Sequence, residues 1–264
     1  MQKRRPKIGL ALSGGGVQGA AHVAIIKLLE KNNIPIDYIA GTSAGAVVGA
    51  LYALTKDTKV LEKMVFDQDL ARLFADIENP ITDSIFLDEE KTHEILKSYF
   101  KKAKFSDLKI PFVAVATSTK LGVPLYLQSG TLFRAIRASS AILPLFSPLK
   151  VEGDVLIDGV YTDPVPAKNV RKMGADIVVA VNLHGEYRFH WREYKNVFSL
   201  SARSLMIFMH SLARAGAEYA DIVIAPPVAK FKWSDVNKKD LHALMTGATR
   251  EAKKQITAIK KLMA

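Results

Sequence analysis

Gly41-Thr42-Ser43-Ala44-Gly45 places a serine between two glycines at the junction of two apolar runs. The run Ile36 to Ala40 reads as a strand, and the uncharged run Ala46 to Leu54 reads as a buried helix. A nucleophile elbow has this pattern: the glycines admit a sharp turn and close packing, and the turn lifts the serine hydroxyl clear of the sheet. Ser43 is therefore the candidate nucleophile. A glycine-rich turn whose serine only caps the following helix uses the same five residues, so the pentapeptide leaves both readings open.

Upstream, Gly14-x-Gly16-x-x-Gly19 admits two functions. As a dinucleotide fingerprint it would seat a pyrophosphate on backbone N–H groups at a helix N-terminus, and it would need an acidic residue at the far end of the second strand. Here Asp37 stands at the start of that strand, and the far end carries Gly41-Thr42-Ser43. The same physics serves another anion. N–H groups of Gly15 and Gly16, at the positive end of the next helix, would stabilise the oxyanion of an acyl-transfer intermediate. Both the loop and the elbow follow strands, so they are expected to converge on one crevice at the C-terminal edge of a sheet.

A serine hydroxyl near neutral pH needs a base. In the usual hydrolase order an acid and then a histidine follow the serine, which makes His184, His190, His210 and His242 candidates. His184, in Leu183-His184-Gly185 after a strand, is the best placed of these; His210 and His242 lie on helices. His22, just inside the first helix among apolar neighbours, reads as a packing residue. Asp158 is better placed than any histidine. It ends the apolar stretch Val155-Leu156-Ile157 and precedes Gly159, the position from which a parallel sheet presents functional groups, with a turn aspartate as the alternative.

The elements that must position these groups follow from hydrophobic periodicity. Ile8 to Leu12 reads as a buried strand, Gly14 to Gly19 as a loop, Ala20 to Lys31 as a helix and Ile36 to Ala40 as the second strand. With the elbow and its helix, this alternation argues for a parallel sheet covered by helices. Lys56 to Asp107 reads as a helical insertion bearing Phe66, Leu70, Leu73, Phe74, Ile85 and Phe86, either a mobile apolar lid or a segment packed on the core. Further strands are expected at Ile110 to Ala116, Leu125 to Leu127, Val155 to Ile157, Ile177 to Val181 and Ile222 to Ala225. Helices are expected at Thr131 to Ala141, Ser199 to Tyr219 and Lys238 to Leu262, the last with a stripe of Leu241, Met245, Ala248, Ala252, Ile256 and Ile259. The apolar segment Leu205 to Met209 suits core, a dimer face or a lipid contact, with core favoured.

Composition agrees with a single domain over 1–264: the 264 residues are 49% hydrophobic, with no low-complexity linker. The chain has no cysteine, which excludes disulfides, thiolate metal sites and a cysteine nucleophile. A formal net charge of +11 suits a surface that approaches anions. The basic run Lys3-Arg4-Arg5-Pro6-Lys7 before an uncharged stretch imitates a secretory signal, but Ser13-Gly14-Gly15-Gly16 interrupts it after five residues, and we read the stretch as a first strand.

The glycine loop, the Gly-Thr-Ser-Ala-Gly elbow and a late strand ending in Asp158-Gly159, in this order, resemble the patatin-like phospholipase family from about Lys7 to Leu183. That resemblance implies a three-layer α/β/α sandwich with a mostly parallel central sheet and a helical insertion at about 56–107. It implies a Ser-Asp dyad in which Ser43 attacks an ester carbonyl and Asp158 serves as base. The loop Gly14, Gly15 and Gly16 would form the oxyanion hole, with Gln18, Gly19, Gly41, Gly45 and Gly159 as the supporting motif. Its substrates would be lipid acyl esters, handled by phospholipase A, lysophospholipase or carboxylesterase chemistry without a metal or other cofactor. The expected setting is cytoplasmic, with peripheral contact to anionic membrane and no nucleic-acid partner. The alternative is a catalytically weak relative that binds an acyl lipid or a protein. Two departures bear on this: Gln18 stands where similar proteins usually carry Arg or Lys, and Val160 stands where they carry a second glycine.

Overall fold

The computed structural model describes residues 4–67, 69–73, 89–143, 146–185, 197–229, 231 and 237–264. Its strands are β1 (Ile8–Leu12), β2 (Tyr38–Thr42), β3 (Phe112–Ser118), β4 (Pro124–Leu127), β5 (Leu149–Val151), β6 (Asp154–Asp158), β7 (Ile177–Val181) and β8 (Ile222–Ile224). The helices are α1 (Ala20–Lys31), α2 (Ala44–Thr55), α3 (Thr58–Phe66), α4 (Asp69–Arg72), α5 (Glu89–Phe100), α6 (Leu132–Ser139), α7 (Ala167–Lys172), α8 (Val197–Ala217), α9 (Lys238–Lys253) and α10 (Ile256–Met263). Among the described residues the strands join in one sheet, ordered β5-β6-β3-β2-β1-β7-β8, with β4 paired to β3 beside this path. The pairs β3–β2, β2–β1, β1–β7 and β7–β8 are parallel; β4, β5 and β6 run antiparallel to their neighbours.

Strand alternation sorts the sheet's side chains into two layers. Ile8, Leu10 and Leu12 of β1 join Ile39, Phe112, Val179 and Val181 on one face, under the buried sides of α1, α2, α3 and α9. Ala11, Ala40, Val113, Val178 and Ala180 face the other way, against Ala167 and Val170 of α7 and Ala213 and Ala217 of α8. The second face is lined with small residues because α7 lies close upon it. A methyl group on Gly9 would fall 2.1 Å from Val170 Cγ1 and 2.7 Å from Ala175 Cβ. The result is the helix–sheet–helix sandwich expected from the sequence.

Most element boundaries match the expectation, and the departures have local causes. β2 begins two residues late because Asp37 is taken up at its foot, accepting Ile8 N–H at 2.8 Å and the Arg5 guanidinium at 2.6 and 2.7 Å. Those bonds hold the Asp37 carboxyl down at about 2 against the opposing cost of burial. The expected terminal helix carries its predicted stripe, all of it buried, but breaks at Lys254 and Gln255 into α9 and α10. β5 and α7 are not legible in the sequence: three residues of mixed character and one short polar helix carry too little periodicity to register. In the insertion, Leu70 and Leu73 belong to the core and Phe66 packs against it, while Phe74, Ile85 and Phe86 lie outside the described residues. The expectation of core for Leu205 to Met209 fails. Leu205, Ile207 and Phe208 are exposed, and among the described side chains of α8 the buried ones are Ala213 and Ala217, in its last turns.

Candidate active site

Ser43 sits between β2 and α2 with φ 54° and ψ −123°, a conformation that a side-chain-bearing residue adopts only when its surroundings enforce it. The two flanking glycines supply that enforcement. A methyl on Gly41 would lie 2.4 Å from the Gly45 carbonyl oxygen, and one on Gly45 would lie 2.3 Å from the Leu12 carbonyl oxygen. Both contacts are with backbone, so α2 starts pressed against the ends of β1 and β2 and nothing larger than hydrogen fits. Thr42 donates its hydroxyl to the Asp163 carbonyl at 2.8 Å, and the Ser43 N–H donates to Ser139 Oγ at 3.0 Å. Ser139, at the end of α6 and fully buried, has no signal in the sequence because nothing in its spacing marks it.

Asp158 reaches Ser43 by a route different from the one expected. Its strand is antiparallel to β3, so the rule for parallel strand ends does not place it. β3 aligns the two residues instead. β4 pairs with β3 from Ala114 to Thr117, and because a strand has two edges, β2 and β6 must share the other. Along that edge Thr42 pairs with Val115 and Asp158 with Ala116, so the ends of β2 and β6 meet head to head on consecutive residues of β3. Gly159 permits the approach, since a methyl there would lie 2.4 Å from the Val115 carbonyl oxygen.

The Asp158 side chain is fully buried. Oδ1 accepts the Val160 N–H at 2.9 Å, and Oδ2 has no hydrogen-bond partner among the described residues. Burial pushes its pKa up to about 7, and the Val160 N–H and the neighbouring Ser43 hydroxyl each pull it part of the way back. A carboxyl poised near neutrality, with one free oxygen beside a serine, is equipped to take that serine's proton. Tyr161 borders the same space: burial first and the Asp158 charge second push its phenol up to about 12.

The glycine loop closes the third side, with Gly14 packed between the two: a methyl on Gly14 would lie 3.4 Å from Ser43 Cβ and from Val160 Cγ2. The loop corrects one expectation. The Gly14 N–H donates to the Pro164 carbonyl at 3.3 Å, so Gly14 is no oxyanion donor, whereas the N–H groups of Gly15 and Gly16 carry no hydrogen bond among the described residues. Gly16, at φ 55°, turns the chain into the 3-10 turn that precedes α1. Gly19 brings α1 onto α2, where a methyl would come within 2.9 Å of Ala44 Cβ.

Gln18 faces away from this space and has a structural task. Nearly buried, it donates from Nε2 to the carbonyls of Val228, at 3.3 Å, and Phe231, at 2.7 Å, tying the loop to the segment after β8. Val160 needs no positive φ, because it lies inside a 3-10 turn capped by Asp158 and packs on Gly14. The glycine expected there is dispensable for this turn.

Of the histidines, His22 does more than pack. Its Nε2 stands 2.8 Å from the Ser13 carbonyl and must be the donor, which leaves Nδ1 bare and without a partner. Burial draws the pKa of His22 down to about 4 and does the same to His184, whose ring lies by the Gly14 backbone and whose Nε2 has no partner. Both are neutral at pH 7 and stand behind the glycine loop. His210 meets the His184 carbonyl through Nδ1 at 2.5 Å, His242 turns back to the Lys238 carbonyl, and His190 lies outside the described residues. No group of three or more His, Asp or Glu suited to a metal ion occurs among the described residues.

Known proteins resemble this chain to differing extents. An uncharacterized NTE family protein of Mycobacterium tuberculosis (strain ATCC 25618 / H37Rv) is 34% identical over 182 residues, which are 68% of this chain and 50% of that protein. "Lysophospholipase nte1" of Aspergillus fumigatus is 35% identical over 183 residues, 67% of this chain and 12% of that protein. The chain thus spans half or less of the length of these relatives. Among solved structures, VipD from Legionella pneumophila superposes with a TM-score of 0.64 at 14% identity, covering 97% of this chain and 67% of VipD. The type III effector ExoU gives 0.51 at 15% identity, covering 97% and 53%; at such identities the likeness concerns the fold. The profile of the patatin-like phospholipases matches residues 10–171, a span that contains the glycine loop, the strained serine and the buried aspartate, and the chain belongs to that family.

Proposed function

We propose that this protein is a lipid acyl hydrolase of phospholipase A or lysophospholipase type that works with a Ser43-Asp158 dyad. The observation that carries the reading is the alignment of the ends of β2 and β6 on Val115 and Ala116, which sets a strained serine beside a buried carboxyl with one unpartnered oxygen among the described residues. In the first step Asp158 Oδ2 takes the Ser43 proton as Oγ bonds to the ester carbonyl carbon. The carbonyl oxygen becomes an oxyanion held by the free N–H groups of Gly15 and Gly16, at the head of α1. Collapse returns the proton from Asp158 to the departing alcohol and leaves an acyl-Ser43 ester. A water molecule, deprotonated by Asp158, then attacks that ester, and the acid leaves as Ser43 recovers its proton.

Family membership and the name of the fungal relative favour a lipid ester as substrate. The basic surface favours anionic interfaces, and no helix among the described residues is long and apolar enough to cross a membrane. The test is peptide mapping after treatment with a fluorophosphonate. One adduct on Ser43, absent in Ser43→Ala and formed at least a hundredfold more slowly in Asp158→Asn, is expected. A folded wild-type protein that forms no adduct and hydrolyses neither lysophospholipid nor phospholipid overturns the proposal.

A further inference from the structure

Ser13 lies between β1 and the glycine loop, fully buried, and each of its polar groups is engaged. Its N–H donates to the Val181 carbonyl at 3.1 Å, and its carbonyl accepts from His22 Nε2 at 2.8 Å. The hydroxyl accepts the Leu183 N–H at 2.9 Å, so its own proton is directed to the Gly14 carbonyl at 3.0 Å. That last bond matters for the neighbouring donor. A trans peptide sets its C=O and N–H on opposite sides. Drawing the Gly14 carbonyl toward the Ser13 hydroxyl therefore turns the Gly15 N–H to the opposite side of that peptide. The next peptide is held in the same manner, since the Gly15 carbonyl accepts the Gln18 N–H at 3.1 Å and so leaves the Gly16 N–H facing out.

Of these two clamps only the first depends on a side chain. We propose that Ser13 is a positioning residue for the oxyanion hole: its hydroxyl locks the Gly14–Gly15 peptide in the orientation that presents the Gly15 N–H, and Leu183, just beyond β7, locks the hydroxyl. The inference rests on the acyl-transfer reading. Without the hydroxyl the Gly14 carbonyl keeps only the neighbouring His184 ring as a donor, and the peptide gains freedom to turn its oxygen toward the incoming carbonyl, replacing a donor with an acceptor. Removing an oxyanion donor outright lowers kcat by about a hundred- to a thousandfold, and unlocking one without removing it is expected to cost about ten- to a hundredfold.

The experiment compares wild type, Ser13→Ala and Ser13→Thr on p-nitrophenyl butyrate. Ser13→Ala is expected to lower kcat about ten- to a hundredfold, to leave KM within twofold, and to leave the acid limb of the pH profile in place because the dyad is intact. Ser13→Thr, which keeps the hydroxyl, recovers most of that loss. A second readout needs no turnover: in the wild-type phosphonate adduct the Gly15 amide proton moves downfield in an NMR spectrum, and in the Ser13→Ala adduct it does not. A folded Ser13→Ala enzyme with unchanged kcat, a loss confined to KM, or a loss equal in the two variants overturns the inference. Should Ser13→Ala not fold, Ser13→Cys keeps the volume with only a weak S–H donor and carries the same test. Absence of a Ser43 adduct in wild type refutes the acyl-transfer reading, whereas a normal wild type beside an unaffected Ser13→Ala refutes the role of Ser13 alone.

Discussion

Replacing Asp158 with asparagine is expected to destroy activity and stabilise the protein, and the second effect is the more diagnostic. Burial raises the carboxyl from its ordinary 3.8 to about 7. Between those pH values the folded chain keeps a proton that the unfolded chain has released. Stability therefore falls as pH rises through that window, and above it the folded state bears the full cost of an ionised, half-satisfied carboxylate. At 1.36 kcal/mol for each tenfold change in acidity, this cost is about 4 kcal/mol. Asparagine has the same shape, accepts the Val160 N–H through Oδ1, and places an amide beside Ser43 where Oδ2 lacks a partner. Asp158→Asn should therefore be more stable than wild type by about 2–4 kcal/mol at pH 8, or about 5–10 °C in Tm for a chain of this size. The difference should vanish near pH 4, where both side chains are neutral. Thermal unfolding of the two proteins from pH 4 to 8 is the assay, and comparing the two proteins isolates Asp158 because other titrating groups are common to both. Activity supplies the companion readout: kcat/KM of wild type rises through about pH 7 as Asp158 ionises, and Asp158→Asn loses a factor of about 10² to 10⁴. Equal stability of the two proteins at pH 8 would refute the idea that the site holds a strained charge for use as a base.

Gly41→Ala meets the Gly45 backbone at 2.4 Å and should cost more than about 3 kcal/mol in chemical unfolding, whereas Gly130→Ala, with nothing within 4 Å, should cost about 1 kcal/mol from its positive φ. Gln18→Leu removes two donors from the carbonyls of Val228 and Phe231; we expect a loss of about 1–3 kcal/mol and faster amide exchange at Val228 and Phe231, with KM for a short ester unchanged. His22, held at about 4 by burial against an ordinary 6.5, binds a proton in the unfolded chain before it does so in the folded one, so its share of stability is lost as pH falls below 6.5. His22→Gln, which keeps a donor for Ser13, should lose about 2 kcal/mol less than wild type between pH 7 and pH 5, as read by urea unfolding at each pH.

The features legible in the chain alone are local in origin. A strand, a glycine loop and a helix in β1 to α1, and a strand, an elbow and a helix in β2 to α2, are written in hydrophobic runs broken by glycine, because backbone freedom and burial periodicity act over a few neighbouring residues. Ser43 is legible for that reason, and Asp158 stands out in the sequence, though by a rule for parallel strands that its own strand does not obey. How the two meet is set by strand packing, since antiparallel pairing of β6 beside β2 follows from β4 occupying the opposite edge of β3, and no local pattern encodes that. The same holds for Ser139 beneath the elbow, Ser13 and His22 behind the loop, and Gln18, whose partners are more than two hundred residues away. Each acts through a hydrogen bond formed by packing, and such a bond leaves no periodicity in the chain. The pKa of Asp158 belongs with them: the residue type supplies a carboxyl, but burial by the assembled sheet and helices raises it to where a base is useful at neutral pH.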